Sequence, residues 1–329
     1  MKRAMDDSWE RLIEELLHGS DRALSRLITR VENRETGWRD ALKMLYPHTG
    51  NASVFGITGS PGAGKSTLTN EIALRFANQG FSIGIIAVDP SSPFSGGALL
   101  GDRLRMRDIS TRTGIFIRSM ATRGVLGGLC QAAREVTRIL DASGKDIVLI
   151  ETVGVGQDEI EVVRAADTVM LICVPGQGDG IQAIKAGVME IADLFVVNKA
   201  DRDGAEEMAS EISAMLELSS GPRETLPPVI MTSAYTKQGL DDLMECLSLF
   251  RDRGPEGKRP VHDLVREELY SLLEREVSHL IRKGMRLNGS LDGAIEQIMS
   301  GNQDPYTVVE ELMKRYRLMD FSREEGGES

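Results

Sequence analysis

The chain has 329 residues, room for one large domain with additions or for two, and in either case for a buried core. Its formal net charge of −11 leaves no basic surplus to neutralise phosphates, which argues against general nucleic-acid affinity while leaving room for a local basic patch. The three cysteines, Cys130, Cys173 and Cys246, are odd in number and far apart, as suits reduced, buried thiols rather than a disulfide frame or a metal knuckle.

In chain order, "MKRAMDDSWERLIEELL" turns acidic early and has no long apolar stretch or small-residue cleavage site, so it does not read as a signal peptide. No later run approaches the ~18 apolar residues that span a bilayer, and a cytoplasmic protein is expected. Between about residues 7 and 45, Leu12, Ile13, Leu16 and Leu17, then Leu24, Leu27, Ile28 and Val31, recur at helical spacing, with Ser20-Asp21 as the cap of a second helix. A helical extension is expected over 1–50.

From 51 to 252, short β-rich runs alternate with helix-length segments. The runs are 54–58, 82–88, 115–118, 147–150, 169–174, 194–198 and 229–232. Apolar residues on both faces of such runs predict an α/β domain, a mostly parallel sheet flanked by helices with right-handed crossovers. After "RDRGPEGKRP" a helical region covers 253–329. Val265, Leu269, Leu272, Leu273, Val277, Leu280 and Ile281 form one stripe there, suited equally to an internal contact or to a dimer face. Shorter helices are expected around 291–299 and 306–318.

The first chemical signal is "GITGSPGAGKSTLTNEI", which matches G-x-x-x-x-G-K-[ST] between an apolar strand and a helix over about 65–78. In such a loop the glycines let backbone N–H groups turn inward around phosphate oxygens, and the following helix adds its positive end. Gly59, Ser60, Pro61, Gly62, Ala63, Gly64, Lys65, Ser66 and Thr67 are the expected nucleotide contacts. Lys65 would reach the outer phosphates and Ser66 would place its hydroxyl on Mg²⁺.

Two acidic strand ends add to this: Asp89 in "IGIIAVDPSS" and Glu151 in "DIVLIETVGVGQ". Ligands bind beyond the carboxyl ends of parallel strands, so both carboxylates can approach a magnesium ion that favours oxygen donors. Glu151 to Gly154 forms a variant of the D-x-x-G turn, with Glu where Asp is commoner and the Gly154 N–H available to the terminal phosphate.

"FVVNKADRDG" identifies the base. Asn198-Lys199-Ala200-Asp201 is an N-K-x-D pattern at a strand end. Its aspartate can accept from the N1–H and exocyclic amine of guanine, a donor pair that adenine lacks, and leaving such a carboxylate unpaired is costly. Asn198 contacts the N7 side and braces the phosphate loop, and the Lys199 stem covers the ring. Ser233, Ala234 and Tyr235, after the last strand, stand where a backbone N–H meets the guanine carbonyl. The nucleotide is expected to be GTP, turning over to GDP.

"HTGNASVFGITGSPGAGKST", "VDPSSPFSGGALLGDRLRM", "ETVGVGQDEIEV", "VPGQGDGIQAIKAG" and "VVNKAD" together resemble the ArgK/MeaB family of P-loop GTPases, over nearly the whole chain. The resemblance implies a chaperone of a cobalamin-dependent acyl-CoA mutase, above all methylmalonyl-CoA mutase. GTP hydrolysis would gate delivery or protection of adenosylcobalamin, and the chaperone would be a homodimer joined through its C-terminal helices. It further implies a first switch over 89–102 with Asp102 near Mg²⁺, a second over 154–157, and a third over 175–185 that could bring Lys185 to the phosphates. On an exposed helix face Lys185 would have no such role. Gln157 invites the role of holding the attacking water by analogy with other GTPases, although it does not adjoin Gly154 as usual.

Asp158 departs from the small polar residue common at its position. "RSMATRG", 118–124, suits either a phosphate or partner contact or a solvated loop. Three rivals remain: a kinase linked to basic amino-acid transport, a metal-insertion GTPase, and a GTP-dependent scaffold with negligible turnover. The first lacks a visible acceptor pocket and base, and the second lacks a thiol or imidazole cluster. None of the four histidines sits in a D-x-H-x-x-G cobalamin motif, so the chain does not read as the mutase itself.

Overall fold

The computed structural model describes residues 8–89, 114–121, 128–152, 166–176, 191–219, 226–253, 261–287 and 290–315. They divide into two units, Met1–Arg259 and Pro260–Ser329. Among the described residues no helix is long and apolar enough to cross a membrane.

The first unit opens with α1 (Trp9–Leu17), α2 (Asp21–Glu32) and α3 (Trp38–Leu45). Ser8 and Ser20 cap the first two helices by accepting from Arg11 N at 3.3 Å and Ala23 N at 3.2 Å, which satisfies N–H groups that the first helical turn leaves unpaired. At the other end of α2, Arg34 N donates to Val31 O at 3.0 Å and Glu35 N to Arg30 O at 3.1 Å. These two bonds close a left-handed cap at Arg34 (φ 55°), where glycine is the usual residue.

An arginine there bears a local steric penalty that its side chain offsets. The guanidinium lies 4.2 Å over the Trp38 ring and pairs with Glu135, whose side chain is only 2% exposed. Arg118 and Glu32 make a second ion pair between α2 and the sheet. Arg34→Ala keeps the Cβ, and so the left-handed strain at φ 55°, but removes the cation beside a buried carboxylate. It is expected to cost about 2 kcal/mol, less than a fully buried pair because Arg34 is partly solvated. Urea unfolding at unchanged slope would measure the loss.

The sheet follows, with β1 (Ser53–Gly59), α4 (Lys65–Asn78), β2 (Ile83–Asp89), β3 (Ile115–Ala121), α5 (Gly128–Ala142), β4 (Ile147–Glu151), β5 (Thr168–Cys173), β6 (Leu194–Asn198), α6 (Ala205–Ser219), β7 (Val229–Thr232) and α7 (Leu240–Asp252). Seven strands lie in the order β3-β2-β4-β1-β5-β6-β7, and every pairing is parallel. Alternation along the strands sends residues to two cores. Val54, Ile86, Val88, Val148 and Ile150 pack with α1–α3 and α5, whereas Phe55, Ile57, Ile85, Leu149 and Ile172 pack with α4 and α7. Phe76 of α4 stacks on Phe55 at 6.2 Å between ring centroids. A smaller cluster seats α6 through Met208, Ile212 and Leu216 against Leu171, Phe195 and Val197.

Burial also answers the cysteine question for two residues. Cys173 is buried, and desolvation pushes its thiol up to about 12; the half-buried Cys246 is shifted upward for the same reason. In both, burial favours the protonated thiol over the reactive thiolate.

The second unit contains α8 (Val261–Leu287), α9 (Ser290–Met299) and α10 (Pro305–Arg315). Met285, Ala294 and Val308 are buried, while Leu269, Leu273 and Leu280 of the long helix are exposed.

Candidate nucleotide site

The strand order reverses at β1. The chain leaves β1 toward β2 and β3, returns through β4, and crosses to β5 on the other side. Ligand crevices in open parallel sheets form at such a reversal, beyond the carboxyl ends of the strands. Residues 59–66 occupy that position.

Two glycines of this loop are dictated by geometry. A Cβ on Gly59 would lie 2.3 Å from the Ile172 carbonyl oxygen of the neighbouring strand. Gly64 combines φ 87° with a close approach, because a Cβ there would lie 2.5 Å from the side-chain nitrogen of Asn198. Gly64 caps α4 with no side-chain hydrogen bond to the first turn. Lys65 is 6% exposed, and its ammonium donates to the carbonyls of Gly59 at 2.7 Å and Ser60 at 3.0 Å. The charge is therefore held across the loop at the end of β1. Ala63 is buried, Ser60 half-buried, and Pro61, Gly62 and Thr67 are exposed.

Across the gap to β4, Ser66 Oγ donates to Glu151 Oε1 at 2.5 Å. Glu151 stands in register with Ile57 of β1 and with Ala87 of β2, two residues before Asp89 ends that strand. A hydroxyl and a carboxylate, both hard oxygen donors, thus meet at the loop, and this set fits Mg²⁺. The same region holds two residues that motif spacing did not single out. Thr152 N donates to Ile57 O at 3.0 Å, and its hydroxyl lies 3.1 Å from that of Thr58. The one available signal was a pair of hydroxyls in otherwise apolar strand ends.

Asn198 connects the loop to the outer strands. Its Nδ2 donates to Ala63 O at 2.8 Å, and its Oδ1 accepts from Ala234 N at 3.3 Å and Thr232 Oγ1 at 3.4 Å. Lys199 has a left-handed backbone (φ 60°), and its ammonium donates to Gly62 O at 2.7 Å. The Ser233 hydroxyl accepts from Thr236 N at 3.1 Å and donates to the Asp201 carboxylate, which holds the Asp201 pKa below the ordinary value. Asp201 is exposed and so is Tyr235. The structure therefore brings 59–66, Glu151, Asn198–Asp201 and Ser233–Ala234 to one edge of the sheet. Asp102, Gly154, Gln157 and Lys185 lie outside the described residues, as does Asp158. In the basic segment at 118–124, Arg118 pairs with Glu32, which accounts for its charge without a phosphate.

A G-x-x-x-x-G-K-[ST] loop on the central strand, tied by an asparagine to an N-K-x-D turn two strands away, is the architecture of the P-loop GTPases, and the chain is a GTP hydrolase of that class. The family model for the methylmalonyl-CoA mutase-associated GTPase MeaB matches residues 24–285. A Pyrococcus abyssi protein with a provisional GTPase name is 43% identical over 93% of this chain and 96% of its own. The Escherichia coli GTPase ArgK is 39% identical over 73% and 75%. The mitochondrial methylmalonic aciduria type A homolog of Caenorhabditis elegans is 30% identical over 94% and 84%. Among solved structures, an LAO/AO transport system kinase superposes with a TM-score of 0.70 at 26% identity, covering 95% of this chain and 98% of that one. The chain belongs to the MeaB family and binds guanine nucleotide.

Proposed function

We propose that this GTPase couples GTP hydrolysis to the handling of adenosylcobalamin on a partner acyl-CoA mutase of the methylmalonyl-CoA mutase type. The observation that carries the nucleotide part is Asn198, which holds the Ala63 carbonyl with one end of its amide and the Ala234 N–H with the other. Phosphate and base subsites are then parts of one rigid frame. The family description and the aciduria homolog support the partner.

Within that frame, loop N–H groups and Lys65 bind the phosphates, and Asp201 with Ala234 selects guanine. Ser66 and Glu151, with Asp89 and Asp102, would hold Mg²⁺, which neutralises charge on the phosphates when bound. Gln157 would orient the water that attacks the terminal phosphorus. Lys185 would approach the departing charge once the mutase has reordered 175–185. The exposed leucines of α8 support a homodimer.

GTP turnover with and without a cobalamin-dependent mutase tests the reading. Stimulation is expected, and Lys185→Ala should lower the stimulated rate roughly tenfold or more while leaving basal turnover within about twofold. Equal losses in both rates would remove the partner-dependent role of Lys185. Phosphate transfer to a small molecule would favour the kinase reading, which the likeness to the transport system kinase keeps open. Metal transfer would favour an insertion role.

A further inference from the structure

The buried pair Thr58 and Thr152 lies just outside the residues given roles above. They are 0% and 1% exposed, and each adjoins a site residue. Thr58 precedes Gly59, whose carbonyl receives Lys65; Thr152 follows Glu151, whose carboxylate receives Ser66. Ile57 and Glu151 are the last pair of the β1–β4 ladder, so the threonines stand one step beyond that ladder, although Thr58 still pairs with Leu171 of β5. The chain is nevertheless held there twice, by Thr152 N to Ile57 O at 3.0 Å and by the contact of the two hydroxyls at 3.1 Å. The Thr152 hydroxyl also has the Ile57 carbonyl within 3.4 Å.

Two hydroxyls in a dry strand end are unfavourable unless bonded, and the contact between them gives the Thr152 hydroxyl an acceptor in that of Thr58. Their mechanical effect falls on Glu151. Its carboxylate must span from β4, which ends at Glu151 itself, to the first turn of α4. A bond immediately after Glu151 fixes the strand end from which that span is made.

We propose that Thr152 and Thr58 are positioning residues that set the meeting point of Glu151 and Ser66, and so tune the affinity of the nucleotide site for its divalent cation. The inference rests on the GTPase reading of the site. Groups that orient a metal's ligands commonly change metal affinity by about 10- to 100-fold when removed.

The test uses the full chain loaded with GDP, and free Mn²⁺ is followed by its paramagnetic resonance signal as it is titrated in. Thr152→Val should weaken Mn²⁺ binding roughly tenfold. GDP affinity in excess chelator should stay within about twofold, because phosphate and base contacts are intact. Thr152→Ser, which keeps the hydroxyl, should restore wild-type Mn²⁺ affinity, and Thr58→Val should reproduce the loss from the other strand. Unchanged Mn²⁺ affinity in both valine variants would overturn the proposal, as would a serine variant as weak as Thr152→Val. Failure of both valine variants to fold would also overturn it, by giving the pair a structural role alone. A wild-type chain that holds no GDP would instead sink the underlying reading, and is seen before any variant is made.

Discussion

Lys65→Ala is expected to abolish tight GTP binding, with a loss of about 3 kcal/mol or more, over 100-fold in affinity. Two contributions add. The side chain supplies the one buried ammonium of the described phosphate loop, and charge-assisted contacts to phosphate are the strongest hydrogen bonds available there. It also spans the carbonyls of Gly59 and Ser60, so its removal loosens the loop before any nucleotide arrives. The contributions separate experimentally. Loss of the brace lowers the thermal midpoint of the nucleotide-free chain, whereas loss of the phosphate contact appears in calorimetric GTP titration. Wild-type affinity in the variant would remove the loop from the binding site.

Asp201→Asn is expected to exchange guanine for xanthine, with a loss of GTP affinity of roughly 100-fold and a gain for xanthosine triphosphate. In the proposed pose the carboxylate would accept two N–H donors from guanine, and an amide in its place would turn one acceptor into a donor facing another donor. Xanthine carries a carbonyl where guanine has its amine, so the amide fits it. The pH dependence has a definite sign. Recognition needs the charged carboxylate, and the Ser233 hydroxyl lowers the Asp201 pKa, so guanine preference persists through the ordinary carboxylate range and is lost only as pH falls through that lowered value. The asparagine variant should lack this acid limb. Competition between the two triphosphates, followed from neutral pH down to below the ordinary carboxylate range, reads both effects; unaltered base preference would argue that Asp201 does not touch the base.

Much of the fold was legible because parallel strands buried on both faces announce themselves as apolar runs. All seven runs became strands, and the helix after the phosphate loop spans 65–78 as the motif requires. Strand ends were less legible: β3 continues to Ala121 because it pairs with β2 up to Asp89, a partner no local pattern reveals. The first two helices showed an amphipathic face without saying what it covers. That face shares a core with α5 and one side of the sheet. Arg34 could not be foreseen in a left-handed cap, since its compensation comes from Glu135, far along the chain. At the candidate site, consecutive motifs marked the loop and the base-reading turn. The hydroxyl contact between Thr58 and Thr152 depends on strand register, which spacing along one segment does not encode.

The absent side chain of Gly64 is the space that the amide of Asn198 fills. Enlarging the former or reshaping the latter would disturb both halves of the proposed nucleotide site at once. If Asp201 reads the base as proposed, base choice in this scaffold would be retuned more freely through that exposed side chain than through the buried Asn198.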